Sequence, residues 1–231
     1  MKWFYPHLPP AWLARPEMIN GAGKTWTDLS KVNPTDNISK DDISYSINSL
    51  GYRYEEFKDS YDEIILSLGM SCSFGLGVKY NETYFDIISK KLNIPVLNFA
   101  IPGASSDTVA RTVSCIIPHW INKVNKIKVI LGWPYSLRRE IFLDNFKSSI
   151  NFQNDPPIKE YHKLLDDTSN EYNQEKNQIL VRSICKSYNI PLYEIPDSLY
   201  LNLEIDKASD GFHPGPMWHQ AVADWFLNQL K

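Results

Sequence analysis

Cysteine and the glycine motifs of nucleotide-binding proteins are scarce in this chain of 231 residues. Its three cysteines, at positions 72, 115 and 185, lie far apart and form no Cys-x-x-Cys pair, so we expect neither a structural zinc site nor a disulfide framework. Reduced thiols of this kind are typical of a cytoplasmic protein. The absence of Gly-x-Gly-x-x-Gly and of Gly-x-x-x-x-Gly-Lys-Ser/Thr argues against nucleotide binding.

The chain also has little net charge and no long apolar run. A formal net charge of −3 and a pI of about 6.0 give no electrostatic support for a nucleic-acid or membrane partner. No stretch approaches the roughly 18 apolar residues of a membrane span. Residues 1–18 carry prolines and charges where a secretory signal needs an uninterrupted apolar stretch. We therefore expect a cytoplasmic protein without nucleic-acid or membrane partners, whose oligomeric state stays open.

From Glu63 onward, short apolar runs alternate with amphipathic segments. The runs predicted to be buried strands are EIILSLG, PVLNFA, KVILGW and IPLYEI. Helices are predicted over residues 81–93, 106–121 and 175–189 and from Pro216 onward. This alternation predicts an α/β fold in which helices cover both faces of a mostly parallel sheet.

Two segments fall outside the alternating pattern. Residues 1–60 are rich in proline and then in polar residues, and we expect an N-terminal extension or accessory segment ahead of a domain over residues 61–231. Residues 138–172 are polar and are predicted to form an insertion, since loops of this length are commonly functional.

The pattern also predicts details of three helices. Asn81 is expected to cap the first of them, and Ser105, Ser106 and Asp107 the second, which Pro118 is expected to kink or shorten. The helix at 175–189 is expected to pack inward through four apolar residues. These are Ile179, Leu180, Ile184 and Tyr188.

Ser71 follows the first predicted strand through a glycine turn, in LGMSCSFG. Ligands of parallel α/β sheets bind beyond the carboxyl ends of the strands, so a hydroxyl at this point faces the expected site. A serine hydroxyl becomes a useful nucleophile only beside a base. Serine in a glycine-rich turn is also a common turn or capping residue, and Ser71 alone is therefore a weak signal.

Asp210 and His213 lie three residues apart in SDGFHPG, just before the last predicted helix. A carboxylate this close can orient an imidazole and stabilise its protonated form, which suits a base for a serine nucleophile. The pair could equally cap the helix, with His213 packed beneath Trp218. A metal site shared with His219 is disfavoured, because six residues do not repeat on one helical face.

Taken together, these motifs resemble the SGNH/GDSL family of serine hydrolases over about residues 45–231. GMSCSFG is similar to the first family block, with Ser71 at the nucleophile position and Met70 where aspartate usually stands. LNFAIPGASSD is similar to the second block, with Asn98 and Gly103 at its defining positions, and DGFHP matches the last. INSLGYR resembles a lead-in found in many relatives.

The resemblance implies a three-layer α/β/α sandwich of the flavodoxin-like kind and a role for each matched residue. Ser71 would be the nucleophile, His213 the base and Asp210 the acid that orients it. The backbone N–H groups of Ser71 and Gly103 would form the oxyanion hole. No cofactor or metal is implied.

The third block departs from the family pattern. Relatives carry Gly-x-Asn-Asp after the central strand, and the asparagine completes the oxyanion hole, but LGWPYSLRRE has Pro134 and Tyr135 there. Either another side chain donates, with Ser136, Tyr135 and Arg138 as candidates, or only backbone N–H groups remain. We also expect Trp133, Tyr135 and Arg138 to contact the substrate.

The implied activity is hydrolysis of a carboxylic ester through an acyl-enzyme on Ser71. The expected substrate is a small-molecule or carbohydrate ester, such as an O-acetyl sugar, because the aromatic residues, 13% of the chain, suit a sugar platform as well as a core. An O-acyltransferase would use the same three residues with an alcohol in place of water. The altered third block leaves open a non-catalytic binding or structural module.

Overall fold

The computed structural model describes residues 43, 45–143, 147–150, 167–200 and 206–231. Most of the predicted N-terminal segment, residues 1–42 and 44, lies outside this part of the chain, as do residues 144–146 and 151–166 of the predicted insertion. The strands are β1 (Tyr61–Leu68), β2 (Val96–Asn98), β3 (Val124–Leu131), β4 (Glu140–Leu143), β5 (Lys147–Ile150) and β6 (Leu192–Glu194). The helices are α1 (Ser71–Phe74), α2 (Tyr84–Leu92), α3 (Ser106–Trp120), α4 (Asp167–Ser187), α5 (Asp197–Tyr200) and α6 (Pro216–Gln229).

Four of these strands form a parallel sheet in the order β2-β1-β3-β6. β1 lies between β2 and β3, and its register pairs Leu66 with Leu97 on one side and with Val129 on the other. The chain moves from β1 to β2 in one direction and returns to place β3 on the opposite side. Such a reversal opens a crevice at the carboxyl ends of β1 and β3, where ligands of this architecture bind.

Helices cover both faces of the sheet, α2 packing against α6 and α3 against α4. The three-layer α/β fold predicted from the sequence is therefore confirmed. α3 packs inward through apolar residues at helical spacing, since Val109, Val113, Ile116 and Ile117 are all buried. β4 and β5 form a separate antiparallel hairpin within the predicted insertion.

Several helix boundaries differ from the predictions. α2 begins at Tyr84 with Thr83 at its N-cap, because residues 80–82 form a separate 3₁₀ turn, so the prediction for Asn81 was wrong. α3 contains Pro118 and continues to Trp120. The loss of one backbone donor so near the end of a helix does not terminate it.

The buried face of α4 also differs from the prediction. Ile179 and Leu180 are 55% and 44% exposed, whereas the buried positions carry mainly asparagine. These positions are Asn170, Asn173, Asn177, Val181 and Cys185. An apolar periodicity cannot reveal such a face, because its partners on α3 are polar.

The described residues ahead of β1 pack against the core of the domain. The rings of Tyr52 and Phe57 lie 4.8 Å and 4.9 Å from the ring of Phe99, beyond the end of β2. Phe57 also meets Trp120 of α3 edge to face. This segment therefore covers one side of the sheet before the first strand begins. Within the ranges given above, no helix combines the length and apolarity that crossing a membrane requires.

His219 of α6 is fully buried between α6 and α2. Its ring stacks on Tyr84 at 5.6 Å, and its Nδ1 accepts the Tyr84 N–H at 3.3 Å. Burial, together with the nearby charge of Arg53, lowers the pKa of His219 to about 3. The folded protein therefore holds this imidazole neutral at pH values where the unfolded chain binds a proton.

We expect this imidazole to make the protein acid-sensitive. Its stabilising contribution is complete above the unfolded pKa of about 6.5 and is lost as the pH falls towards 3, by up to about 1.4 kcal/mol per pH unit. His219→Gln should flatten the dependence of the unfolding free energy on pH between about 6 and 4, measured by urea unfolding, relative to His119→Gln on α3. Parallel curves for the two variants would contradict the assignment.

Candidate active site

Ser71 is the first residue of α1, just beyond the carboxyl end of β1. The turn before it contains Gly69, whose φ of +145° and close neighbours exclude a side chain. A Cβ at Gly69 would lie 2.7 Å from the carbonyl oxygen of Gly132, at the end of β3. The ends of β1 and β3 therefore approach closely, and Ser71 lies over the crevice between them.

The Arg53 guanidinium holds the turn that follows Ser71. Its Nη1 donates to the carbonyls of Phe74 and Gly75 at 3.1 Å and 2.5 Å, and its Nη2 donates to that of Val78 at 2.8 Å. Arg53 is fully buried, and desolvation lowers its pKa to about 10, which keeps it charged at neutral pH. The end of α1 is thus fixed by charge-assisted hydrogen bonds from inside the protein.

The INSLGYR segment positions the Arg53 side chain. Asn48 Oδ1 accepts the N–H groups of Leu50 at 3.1 Å and Tyr52 at 3.0 Å, and so closes the turn ahead of Arg53. Sequence reasoning noted the motif but missed what it does. The sequence signal was an arginine that follows an Asx-type turn at a fixed spacing. This signal does not identify the carbonyl groups that the arginine binds.

The loop carrying Gly103 lies beside the Ser71 turn. The Ile101 N–H donates to the carbonyl of Gly69 at 3.0 Å, and the Phe99 N–H donates to that of Ser67 at 2.7 Å. Directly after Gly103, Ser105 caps α3, its Oγ accepting the Thr108 N–H at 3.2 Å, which confirms the predicted cap. Gly103 and Ser71 are therefore held at the same edge of the sheet.

Asp210 and His213 form a hydrogen-bonded pair. Asp210 Oδ2 lies 2.6 Å from His213 Nδ1, and Asp210 Oδ1 accepts the N–H groups of Phe212 and His213, each at 2.9 Å. Burial alone would raise the pKa of Asp210, but the hydrogen bonds from the His213 ring and from the two backbone N–H groups lower it overall. An ionised carboxylate on Nδ1 assigns the proton to that nitrogen and leaves Nε2 as the basic atom.

The loop with this pair packs on the segment that follows α1. The Ser209 N–H donates to the carbonyl of Gly77 at 3.0 Å, and a Cβ at Gly77 would lie 3.2 Å from Asp210 Cγ. Glycine at this position lets the carboxylate approach the chain six residues after Ser71. In this structure Ser71 and His213 make no hydrogen bond to each other, and such contacts commonly tighten only when substrate binds.

The segment after β3 brings Arg138 to the turn that carries Ser71. Its Nη1 donates to Met70 Sδ at 3.3 Å, and its guanidinium lies 5.5 Å from the centre of the Tyr135 ring, which is 53% exposed. The Trp133 indole N–H is directed instead to Glu194 of β6, at 2.6 Å. Ser136 is half-buried, and its hydroxyl makes no hydrogen bond to another described residue.

Two charges act on Cys72, the neighbour of Ser71. Burial raises the pKa of the Cys72 thiol to about 12, while the positive charge of Arg138 lowers it and the negative charge of Asp210 raises it. Arg138 and Asp210 therefore both lie within electrostatic reach of α1. The predicted residues Ser71, Gly103, Asp210 and Arg138 converge on this edge, whereas His219 lies in the core, away from His213.

A carboxylate in the first turn of α3 supports the Arg138 side of the site. Asp107 Oδ2 accepts the Glu140 N–H at 3.1 Å, and Asp107 Oδ1 accepts the side-chain amides of Asn173 and Asn177 at 2.9 Å and 2.8 Å. Asn177 also donates to Ser106 Oγ at 3.0 Å. These contacts tie the start of the predicted insertion and the first half of α4 to one side chain.

Two arginines complete this polar cluster. Arg111 binds Glu140 in bidentate fashion, through Nη2 at 2.7 Å and Nε at 2.9 Å. Arg139 donates to the Ser169 carbonyl at 2.6 Å and to Asn170 Oδ1 at 3.0 Å. Sequence reasoning assigned Asp107 to capping alone and missed the cluster. Its signal was the repeat of asparagine along one helical face of α4.

Comparison with known proteins gives distant matches among solved structures only. No protein-family model matches the chain, and no curated protein sequence is similar to it. The esterase EstA from Pseudoalteromonas sp. is 14% identical with a TM-score of 0.40, over 73% of this chain and 97% of EstA. The acetylxylan esterase Axe2 from Geobacillus stearothermophilus is 13% identical with a TM-score of 0.37, over 75% and 96%.

A third structure, from Desulfitobacterium hafniense DCB-2, is assigned to the G-D-S-L family of lipolytic proteins. It is 12% identical with a TM-score of 0.37, over 71% of this chain and 98% of its own. These neighbours are esterases and G-D-S-L proteins, the family that the sequence motifs resemble. At such TM-scores the likeness carries no weight for the chemistry, which depends on the geometry of this chain.

We expect Asp107→Asn to loosen the segment after β3. An asparagine would turn its own N–H₂ towards one of the three donors, and an unsatisfied buried group of this kind costs about 1–3 kcal/mol. Hydrogen exchange measured by mass spectrometry should be faster over residues 138–143, with a matching loss of unfolding free energy. Asp224→Asn, on the exposed face of α6, is the matched control, and equal exchange in both variants would contradict the role of Asp107.

Proposed function

We propose that this protein is a serine hydrolase that cleaves carboxylic esters through an acyl-enzyme on Ser71. The observation that carries the proposal is the Asp210–His213 pair, joined at 2.6 Å and packed on the segment that follows the Ser71 helix. The pair has the arrangement that a base for a serine hydroxyl requires. The strand ends, the buried serine and the oriented imidazole all lie at the sheet edge where ligands of this architecture bind.

The first half of the reaction transfers the acyl group to the protein. His213 Nε2 removes the Ser71 proton as Oγ attacks the carbonyl carbon, and the carbonyl electron pair moves onto oxygen. The resulting oxyanion is stabilised by the backbone N–H groups of Ser71 and Gly103. When the intermediate collapses, the alcohol leaves with the proton that His213 carried, and an ester on Ser71 remains.

The second half returns the protein to its starting state. His213 Nε2 removes a proton from water, the hydroxide attacks the acyl carbon, and Ser71 leaves as it regains the proton. Asp210 stabilises the imidazolium in both halves without itself becoming protonated. Its lowered pKa supports this role, because the carboxylate stays ionised throughout.

The substrate that we propose is an O-acetyl ester of a carbohydrate. The exposed rings of Tyr135 and Phe212, 53% and 73% exposed, flank the site from the segment after β3 and from the His213 loop. Phe212 meets the His213 ring edge to face at 5.1 Å. Exposed aromatic rings suit the apolar faces of sugars.

We expect a fluorophosphonate probe to label the protein at Ser71, with p-nitrophenyl acetate turnover as the parallel assay. Ser71→Ala and His213→Ala should abolish both, because one lacks the nucleophile and the other lacks the base. Asp210→Asn should lower kcat by up to about 10⁴, since the amide favours the wrong imidazole tautomer.

Two surface residues of α3 provide the controls for this experiment. Ser114→Ala removes a serine hydroxyl and His119→Gln removes an imidazole, both from the second half of α3. Both variants should retain labelling and turnover. Labelling of Ser71→Ala at the level of the unsubstituted protein would place the nucleophile elsewhere. Failure of the folded protein to label at all would favour a non-catalytic binding module.

We expect water to be the acceptor and acetyl the preferred acyl group. On an acetylated sugar, release of free acetate should equal loss of ester, and kcat/KM for p-nitrophenyl acetate should exceed that for the octanoate. Mass spectrometry of the products with an added sugar alcohol reports the partition. Predominant transfer to that alcohol would identify an O-acyltransferase instead, and faster turnover of octanoate would overturn the acetyl preference.

A further inference from the structure

The oxyanion that forms on Ser71 has few donors near it. The backbone N–H groups of Ser71 and Gly103 are available from two loops, but the loop after β3 carries Pro134, which has no donor on its side chain. Loss of one donor from an oxyanion site typically costs about 10²–10³ in rate. A further donor on the β3 side would recover that factor.

We propose that Arg138 donates a charged hydrogen bond to the oxyanion at Ser71 and is a catalytic residue of this site. The inference rests on the proposed serine hydrolase function. In this proposal a guanidinium takes the role that a neutral side chain would otherwise have. Its charge stabilises the transition state and does not bind a group of the substrate.

The position of the guanidinium supports this assignment. Its Nη1 contacts the thioether of Met70, which is 1% exposed and immediately precedes Ser71 in the chain. The fork of the arginine thus reaches from the surface to the buried side of the nucleophile turn. A thioether is a weak acceptor, and an oxyanion in its place would be a stronger one.

The backbone that carries Arg138 is held on both sides. Ahead of it, the Arg138 N–H donates to the carbonyl of Tyr135 at 3.2 Å, and the guanidinium lies against the ring of the same tyrosine. Behind it, the N–H of Glu140 is bound by Asp107. A side chain fixed in this way loses less conformational freedom when it binds an anion, which is the condition for a preorganised donor.

The electrostatics at α1 agree with the geometry. Arg138 favours the ionised form of the Cys72 thiol, although burial raises its pKa overall. A negative charge that develops on the adjacent Ser71 turn experiences the same field. Hydrogen bonds from a charged donor are about twice as strong as neutral ones, and a guanidinium stays protonated, so Arg138 donates without losing its proton.

The other two candidate donors fit less well. The Tyr135 side chain is 53% exposed and forms the outer wall against which Arg138 stacks. Ser136 is half-buried, and its hydroxyl has no hydrogen bond to the Ser71 turn in this structure. Arg138 alone among the three has a side-chain donor in contact with a residue of that turn.

The experiment compares Arg138→Met, Arg138→Lys and Arg138→Ala with Arg182→Met, which removes an exposed arginine that pairs with Glu194. On p-nitrophenyl acetate, a neutral ester, Arg138→Met should lose about 10²–10³ in kcat with KM changed by only a few fold. Arg138→Lys should lose less, because the charge remains. Millimolar guanidinium ion, far below denaturing concentrations, should restore part of the kcat of Arg138→Ala and leave Arg138→Met unchanged.

A second measurement separates catalysis from folding and from substrate binding. The rate of Ser71 phosphonylation should fall in parallel with kcat/KM across the series, while urea unfolding of Arg138→Met matches that of the control. Unchanged kcat together with a raised KM confined to carboxylate-bearing esters would overturn the proposal and identify Arg138 as a substrate-binding residue. Wild-type kinetics in every variant would also overturn it.

The two proposals fail in distinguishable ways. If Ser71→Ala retains full turnover, the serine hydrolase function fails, whatever the Arg138 series gives. If turnover depends on Ser71 and His213 but kcat is indifferent to Arg138, the hydrolase stands and the charged donor at the oxyanion is wrong.

Discussion

The Arg53 guanidinium holds the segment that follows Ser71 by donating to three of its carbonyls, those of Phe74, Gly75 and Val78. A helix of four residues is too short to be stable by itself, so α1 keeps its place through such contacts. Tyr45 extends the same support, since its ring lies 4.6 Å from Arg53 and its hydroxyl accepts the Gly77 N–H. Gly77 in turn contacts the Asp210 loop. One buried cation thus links the turn that carries Ser71 to the loop that carries Asp210.

A second polar centre supports the segment after β3. The Asp107 carboxylate and the Arg111–Glu140 pair join α3, α4 and the segment after β3 around one helix start. The apolar core stabilises the sheet and its layers, but it does not determine where the loops point. In this protein that task falls to partly buried charges, each with several hydrogen-bond partners. Such charges specify geometry more strictly than apolar contacts, because an unpaired partner is costly.

Sequence periodicity predicted the sheet and the helices that cover it, because buried strands and helices have regularly spaced apolar residues. It failed on α4, where Asn173 and Asn177 face inward and Ile179 faces solvent. The pairing of Asp210 with His213 could be predicted because three residues of loop confine the two side chains. The roles of Arg53 and Asp107 could not, since their partners are backbone carbonyls and amides brought in from distant segments. Polar contacts between residues far apart in the chain produce no local sequence pattern, and Arg53 and Asp107 act through such contacts.

The asparagine face of α4 has a consequence for assembly of the fold. A helix whose inner face carries mainly amides instead of aliphatic side chains gains little from nonspecific hydrophobic collapse. Its docking on α3 therefore depends on specific hydrogen bonds. Sliding the helix by a single turn would leave only one of Asn173 and Asn177 near Asp107 and would deprive the other of this acceptor. We therefore expect α4 to dock in its native register once the start of α3, which supplies the acceptors, has formed.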